Sequence, residues 1–409
     1  KSSAFKISRE IKNITWKDIQ RNLKENEAAV QLVRVQLFDK AWTDSIVYVA
    51  LILTKETTTN PIMVVLKDGN KLEKKYYKGF SNAIKFGQVS EEYFEAYWKE
   101  IDQYLLNKSV VYLSPDGIYN KISLPALKLP DGTYLLEKRN IQVVPLLRNL
   151  TVTVPKSNLK NNDAILFGYP NYNKKLTAAE DATQLNENNI PHSLLRGYQL
   201  NDLPATKIEV ESIASILQKT GIQTHVLLGD NASETEIKKL ISPSILHIAT
   251  HGYFVKDHAI DENSNSVTNY KENPLLRSGI LLAGSNYTLS NQSFGNPLDD
   301  GILTAYEAMQ LDLKNTQLVI LSACETGLGQ EMNGEGILGL QRSFMLAGAE
   351  NMLMSLWQVS DVGTQQLMDL FYKNWVVNRN TGEAFRKAQL ELMKTHPSPY
   401  YWAAFIYIK

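Results

Sequence analysis

Cysteine is nearly absent from this chain, whose 409 residues include one, Cys324. A single cysteine excludes an intrachain disulfide framework and fits a reducing compartment, so we expect a cytoplasmic location. No secretory signal peptide is recognisable, and no apolar run approaches the ~20 residues of a membrane span. The sequence begins at Lys1 rather than methionine, so we interpret it as a fragment of a longer protein.

An excess of either charge sign is also lacking, because 43 basic residues balance 43 acidic ones. Without a polybasic stretch, neither nucleic acid nor an anionic membrane surface is an expected partner. Hydrophobic residues make up 44% of the chain and charged residues 21%, which excludes a disordered protein. The length and composition predict a large apolar core divided between two or three domains.

Two apolar, strand-like segments each lead to a residue with reactive chemistry. One is Leu246-His247-Ile248-Ala249-Thr250-His251-Gly252, and the other is the run 318–321 that leads to Cys324. A thiol and an imidazole, each carried from a strand end into a glycine-containing turn, are the parts of a Cys–His nucleophilic pair. Each residue alone has a plainer interpretation, since a lone cysteine is usually a small buried hydrophobe and such a histidine is usually a core or capping residue.

Predicted strands and helices alternate from about residue 162 to the end of the chain. This order is typical of a mainly parallel sheet with helices on both faces, in which ligands bind at the carboxyl ends of the strands. Thr206 with Glu209, and Ser233 with Glu236, form capping-box patterns that predict two helix starts. The polar segment 256–273 has the composition of a mobile loop directly after His251.

The first half of the chain predicts a smaller α/β domain. Two strands near 30–35 and 47–53 form a hairpin, and a helix passes through Tyr93, Tyr97 and Ile101. A strand at 110–114 runs into Asp116-Gly117, where the second half has His251-Gly252. We therefore interpret this half as a possible degenerate copy of the second, with an unrelated α/β cap as the alternative. The polar, proline-containing segment 151–162 is the natural linker, which predicts domains 1–155 and 156–409.

Several short motifs, in this order and spacing, resemble a CHAT domain, the caspase-like peptidase domain often found behind tetratricopeptide repeats in bacteria. The resemblance covers essentially residues 160–409. The matching segments are Leu203-Pro204-Ala205-Thr206 with Glu209, Gly229-Asp230 with Ala232, His247-Ile248-Ala249-Thr250-His251-Gly252, 274–284, Asp300-Gly301-Ile302-Leu303-Thr304-Ala305, 321–329, Gly334-Glu335-Gly336, Gly348-Ala349, Ser355-Leu356-Trp357 and Tyr401-Trp402-Ala403-Ala404-Phe405.

The resemblance implies a caspase-like fold and a cysteine peptidase related to caspases, separase and gingipain-like enzymes. His251 matches the family's base and Cys324 its nucleophile, and both matched positions are intact. A protein substrate, an upstream regulatory module or partner protein, and a bacterial defence or signalling pathway are what is typical of the family. No cofactor is implied.

The expected chemistry is acyl transfer through Cys324, with His251 moving the proton. The backbone N–H groups of Gly252 and Cys324 are candidates for binding the oxyanion, and the alternative for Gly252 is a plain turn glycine. His247 lies four residues before His251 and is interpreted as a core residue, because no cluster at metal-ligand spacing completes a site. The glycines between 327 and 339 lack the lysine of a phosphate-binding loop, so we interpret them as loop residues.

The resemblance implies that substrate preference depends on a pocket beside the cysteine strand, for which three acidic residues are candidates: Asp361, then Glu325 and Asp300. A partly shielded carboxylate there would favour cleavage after arginine or lysine. Each of the three has an alternative role as a helix cap or a solvated surface charge, and Asp361 precedes a predicted helix.

Two further function classes stay open beside the endopeptidase. One is a non-catalytic scaffold module that binds a protein partner without cutting it. The other is a thiol hydrolase or acyltransferase that acts on something other than a peptide. The intact pair of His251 and Cys324 favours an enzyme over a scaffold.

Overall fold

A computed structural model describes residues 14–151, 162–176, 198–254, 274–290, 299–325, 334–357 and 361–409 of the chain. The predicted mobile loop 256–273 lies outside these residues. The chain divides into two compact units, one formed by residues 1–157 with 393–409 and the other by residues 158–392. Residues 393–409, which the sequence-based division assigns to the second domain, pack with the first unit.

The first unit contains a mixed sheet bordered by short helices. In chain order its elements are α1 (Trp16–Asn22), β1 (Glu27–Asp39), β2 (Ala41–Thr54), β3 (Ile62–Leu66), α2 (Gly69–Lys71), a π-helical turn (Leu72–Tyr76), α3 (Tyr77–Phe86), α4 (Glu92–Tyr97), α5 (Lys99–Asp102), β4 (Val110–Ser114), α6 (Leu135–Lys138) and β5 (Asn140–Val143).

Pairing in this sheet begins with the predicted hairpin of β1 and β2, and β3 continues it on the outer side of β2. On its other side, β1 runs parallel to β4, and β4 runs parallel to β5. The single helix predicted through Tyr93 and Ile101 is wrong, because the backbone leaves helical geometry at Trp98, with φ −135°. Asp116 follows β4 and accepts a hydrogen bond from the N–H of Gly117, where a short 3₁₀ helix begins.

The second unit contains a mainly parallel sheet flanked by helices. Its elements are β6 (Asp163–Pro170), α7 (Pro204–Gln218), β7 (Gln223–Gly229), α8 (Glu234–Lys238), β8 (Ile245–Phe254), β9 (Ser278–Leu281), α9 (Ser285–Leu289), β10 (Ile302–Thr304), α10 (Ala305–Ala308), β11 (Leu318–Glu325), α11 (Gly334–Ala347), β12 (Met352–Ser355), α12 (Asp361–Asn378) and α13 (Thr381–Thr395).

Strand β8 occupies the centre of this sheet and is buried along almost its whole length. It runs parallel to β6 on one side and to β11 on the other, and β7 and β12 extend the parallel sheet beyond them. On the side of β6, the last residues of β8 pair with the antiparallel strand β9, and β10 pairs antiparallel with β9. Strands that are buried on both faces need a nearly continuous apolar sequence. This explains why the central strands of this sheet appear in the sequence as apolar runs.

Helix α7 begins earlier than the capping-box pattern predicts. Its first residue is Pro204, whose fixed φ suits the first turn, so Thr206 and Glu209 lie inside the helix. Thr206 donates its hydroxyl to the carbonyl of Leu203, and Glu209 is buried. The predicted cap at Thr206 is therefore wrong, whereas Ser233 does cap α8 by accepting a hydrogen bond from the N–H of Glu236.

The chain closes with two short elements of the first unit, α14 (Pro399–Trp402) and β13 (Phe405–Ile408). Strand β13 runs parallel to β5 through the pairing of Ile408 with Val143. Trp402 is fully buried and meets the ring of Tyr134 edge to face at 5.0 Å. These apolar contacts anchor the end of the chain in the first unit.

Candidate functional site

His251 and Cys324 occupy directly paired positions of two neighbouring strands. In the parallel pairing of β8 with β11, Cys324 is the Cα partner of His251, and Glu325 is the partner of Gly252. Adjacent strands lie about 4.8 Å apart, so the two backbones are immediate neighbours toward the carboxyl ends of the parallel strands. The structure therefore brings together the two positions that the sequence singled out.

The glycine-turn interpretation of this segment is wrong. Strand β8 continues past His251 to Phe254, and Gly252 is paired with Glu325 on one side and with Ile280 on the other. The antiparallel strand β9 holds this extension in the sheet, a long-range pairing that has no signal in the sequence of β8. Gly252 is thus a strand residue, and its part in binding an oxyanion stays a prediction.

The His251 ring is buried and is oriented by a backbone carbonyl. Its Nε2 lies 2.8 Å from the carbonyl oxygen of Asn201, in the segment that leads into α7. A carbonyl oxygen can only accept, so in the neutral ring the proton is on Nε2 and Nδ1 is the basic nitrogen. The fold thereby selects one tautomer of the imidazole.

A directed chain of hydrogen bonds supports the backbone beside this ring. The hydroxyl of Thr250 donates to the carbonyl of Leu281, so it accepts from the hydroxyl of Tyr172 at 2.9 Å. The Tyr172 oxygen in turn accepts from the N–H of His251 at 3.4 Å. Burial raises the pKa of Tyr172, which keeps the phenol protonated as this chain requires.

Tyr172 also packs directly on the imidazole. The two ring centroids are 5.1 Å apart, with an interplanar angle of 37°. The phenol lies in an apolar cluster on the β9 side of β8, whose buried members are Tyr172, Leu200, Tyr253, Leu281, Leu289 and Ile302. Tyr172 therefore joins the His251 imidazole to this apolar cluster.

The second histidine of the strand, His247, is a core residue, as the sequence predicted. It is fully buried, its Nε2 lies 2.9 Å from Glu209 Oε1, and its Nδ1 lies 3.3 Å from the hydroxyl of Tyr372. The hydroxyl of Ser322, two residues before Cys324, donates to the other oxygen of Glu209 at 3.3 Å. This polar network joins α7, α12, β8 and β11 below the paired positions.

The three acidic candidates for a substrate pocket have different places in the fold. Glu325 is the last residue of β11 and Asp361 is the first of α12, and the side chains of both, like that of Cys324, lie outside the described part of the chain. Asp300 precedes β10, so β9 and β8 separate its strand from the cysteine strand. The structure does not bring Asp300 beside β11.

Asp300 is half-buried and belongs instead to a group of charged side chains with the buried Glu234, the half-buried Glu307 and the more exposed Lys238. Glu234 accepts from the N–H groups of Asp300 and Gly301, at 2.9 and 3.1 Å, and also pairs with Lys238. Burial raises the pKa of Asp300, and repulsion from Glu307 adds to the rise. Burial, followed by repulsion from Asp300, raises the pKa of Glu234 as well.

In the part of the chain that the structure describes, no three His, Cys, Asp or Glu side chains are grouped so that they could hold a metal ion. Among the same residues, no helix is long and apolar enough to cross a membrane.

Sequence reasoning did not find Asn201, Tyr172 or the partner role of Glu209. Asn201 acts through its backbone carbonyl, which leaves no trace in the residue type. Glu209 carried a signal, because a buried histidine on a strand needs a polar partner, but the capping pattern gave it another role.

Curated relatives and solved structures resemble the chain at low identity. Human tetratricopeptide repeat protein 28 is 24% identical over 286 residues, or 67% of this chain, and the mouse protein is 22% identical over the same length. In both cases the match spans 11% of the relative's own length.

Two solved structures align with most of the chain. The Arg-specific cysteine proteinase gingipain R aligns over 80% of this chain and 67% of its own, with 9% identity and a TM-score of 0.39. Separase, in the separase–securin complex of Saccharomyces cerevisiae, aligns over 96% of this chain and 31% of its own, with 10% identity and a TM-score of 0.47.

The family comparison extends further into the first half than the motifs indicated. The family model described as CHAT domain matches residues 89–409, which include β4 and β5 of the first unit as well as the whole second unit. The match begins well before the start near residue 160 that the motifs gave. Because it covers most of the sequence, the chain belongs to the CHAT domain family.

Proposed function

We propose that this chain is a cysteine endopeptidase that cleaves specific protein partners, with Cys324 as nucleophile and His251 as acid and base. The observation that carries the proposal is the direct pairing of the two positions on parallel strands, in a chain that belongs to the CHAT domain family. The selected tautomer of His251 supports it, because the bond to Asn201 keeps the proton on Nε2 and leaves Nδ1 as the nitrogen that can accept a proton from a thiol.

The reaction proceeds by acyl transfer. His251 Nδ1 takes the thiol proton of Cys324, and the thiolate attacks the carbonyl carbon of the scissile peptide. The N–H groups of Gly252 and Cys324 stabilise the tetrahedral oxyanion. When the C–N bond breaks, the imidazolium gives its proton to the leaving amine, and His251 then activates the water that hydrolyses the thioester.

The context of this activity is proposed from the family resemblance. We place the enzyme in the bacterial cytoplasm, where a lone cysteine stays reduced, and in a regulated defence or signalling pathway. A module outside this sequence or a partner protein would control access to the site. Asp361 and Glu325 remain candidates for contacting the substrate residue before the scissile bond.

The experiment that tests the proposal is stoichiometric labelling by a peptidyl acyloxymethyl ketone. Since Cys324 is the only cysteine, the intact mass reports its modification without ambiguity. We expect one adduct per chain, formed at least ~100-fold faster than in His251→Ala, because the imidazole maintains the thiolate. Equal, slow labelling of both proteins would favour the scaffold function and overturn the proposal.

A further inference from the structure

The carbonyl that orients His251 lies in an exposed, irregular segment. Asn201 is solvent-exposed and precedes α7 without belonging to a helix or strand, so regular secondary structure does not hold its peptide group. Yet its oxygen lies 2.8 Å from His251 Nε2. A hydrogen bond that selects the His251 tautomer needs a rigid acceptor, so contacts from elsewhere in the fold must hold residues 200–201 in place.

The side chain of Asn286 holds this segment on both sides of one residue. Its Oδ1 accepts from the N–H of Leu200 at 2.8 Å, and its Nδ2 donates to the carbonyl of Leu200 at 3.0 Å. The same Nδ2 donates to Asn173 Oδ1 at 2.9 Å. The backbone partners fix the orientation of the amide, because an N–H only donates and a carbonyl only accepts.

Few alternatives to asparagine satisfy these three contacts. An aspartate would set its oxygens against the carbonyl of Leu200 and the Oδ1 of Asn173, both of which are acceptors. An alanine would leave these groups without their partner in a site where Asn286 is 7% exposed. The Leu200 side chain is buried in the cluster around Tyr172, so side chain and backbone are anchored together.

Asn286 also reaches the imidazole by a second path. Its backbone N–H donates to the carbonyl of Tyr172 at 2.9 Å, and the Tyr172 ring packs on His251. One residue at the start of a short helix thus holds Leu200, directly before the Asn201 carbonyl that His251 contacts, and also the residue whose ring packs on His251. No other part of the proposed mechanism requires an asparagine at this position.

We propose that Asn286 is a positioning residue, whose carboxamide fixes the Leu200–Asn201 peptide so that His251 is held as the Nε2–H tautomer with Nδ1 as the base. Asn286 touches neither substrate nor the reacting atoms, and it acts through residues 200 and 201. The inference rests on the proposed function, since it assigns the support of the same imidazole.

The test compares Asn286→Ala and Asn286→Ser with wild type and with His251→Ala. The rate of alkylation of Cys324 by iodoacetamide is measured between pH 5 and 10, a readout that needs no peptide substrate. We expect the wild-type inflection to lie below the ordinary thiol pKa of ~8.5, and the Asn286 variants to move it toward the His251→Ala value. At pH 7 the alkylation rate should fall about tenfold, and with a cleaved peptide kcat should fall while KM changes little.

Asn351→Ala is the matched control. This half-buried asparagine donates its side-chain amide to the carbonyl of Gln317 at 2.9 Å, beside the amino end of β11. Its removal should lower the melting temperature but leave the pH profile of alkylation unchanged. If Asn286→Ala fails to fold, Asn286→Ser, which retains a hydroxyl, gives the same readouts.

Imidazole ¹⁵N shifts of His251 give a second measurement, in which the Nδ1–H tautomer should increase in Asn286→Ser. A wild-type profile and tautomer in the Asn286 variants, with a shifted profile in His251→Ala, would overturn the positioning role and leave the proposed function standing. An unshifted profile in His251→Ala would overturn both.

Discussion

His247 and Glu209 form a buried pair, with Nε2 and Oε1 2.9 Å apart and both side chains almost fully removed from solvent. Glu209 comes from α7 and His247 from the central strand, so the pair fastens a helix to the sheet directly below the candidate site. The second carboxylate oxygen of Glu209 accepts a hydrogen bond from the hydroxyl of Ser322, and Nδ1 of His247 lies within hydrogen-bond distance of the hydroxyl of Tyr372. Loss of one member leaves several buried polar atoms without partners.

Glu209→Ala should therefore destabilise the protein by about 1 to 3 kcal/mol, the range for leaving a buried hydrogen-bonding group without its partner. The shift of the urea unfolding midpoint, with the slope of the transition, measures the loss. The control is Glu211→Ala on the same helix, whose side chain is 52% exposed and 3.9 Å from Lys207. That change should stay within about 0.5 kcal/mol of wild type, and equal effects of the two substitutions would contradict the assignment.

The rate of peptide cleavage should depend on both Cys324 and His251. Cys324→Ala should lower kcat by about 10⁴-fold or more, because no other group can form the thioester, and His251→Ala should lower it by a comparable factor. The double variant should be no slower than the worse single one, since the two residues act as a unit. Cleavage of an identified protein substrate, followed by mass spectrometry of the products, is the measurement, and an unchanged rate in Cys324→Ala would exclude the peptidase.

The alternation of apolar runs and helical patterns was enough to predict that His251 and Cys324 meet in a parallel sheet. Local patterns failed where contacts with residues distant in the sequence determine the structure. Because a parallel sheet places the carboxyl ends of its strands at one edge, the positions of His251 and Cys324 at the ends of two apolar runs predicted that they lie close together. The capping pattern at Thr206 was overridden by Pro204, which starts the helix, and by the burial of Glu209 against His247. Similarly, the extension of β8 through Gly252 depends on β9, a later part of the chain.

The carboxyl groups of Asp300 and Glu234 should make the protein less stable as pH rises. Burial raises the pKa of Asp300 and of Glu234 above the values of ~3.9 and ~4.3 expected in the unfolded chain. The folded state therefore binds more protons above about pH 4, so the free energy of unfolding decreases from there upward through neutral pH. Asp300→Asn removes one ionisable group and keeps an oxygen for the N–H of Ile302.

We expect Asp300→Asn to flatten the pH dependence and to gain about 1 kcal/mol or more at pH 8, since one pKa unit corresponds to about 1.4 kcal/mol. Urea unfolding at intervals between pH 5 and pH 8 measures both effects. If the free energy of unfolding of the variant falls between pH 5 and pH 8 by as much as that of wild type, Asp300 does not contribute to the pH dependence of stability.

Specificity for a basic residue before the scissile bond is the last prediction, and it depends on Asp361. This residue opens α12, and α12 follows β12, which runs parallel to β11 on the side away from β8. Strand β12 ends at Ser355, at the carboxyl edge of the sheet and beside the cysteine strand, where side chains can contact a bound substrate. A carboxylate there would pair with a guanidinium far better than with an apolar side chain.

The competing role for Asp361 is to stabilise the start of α12, and substitution separates the two. Asp361→Asn should weaken the start of α12 by no more than about 1 kcal/mol, the contribution of a first-turn carboxylate, while kcat/KM for an arginine peptide falls by about 10-fold or more. A matched peptide with leucine before the scissile bond should be cut by both proteins at similar rates. If arginine and leucine peptides respond equally to Asp361→Asn, the carboxylate acts on the helix alone, and the pocket must be formed by Glu325 or by other residues.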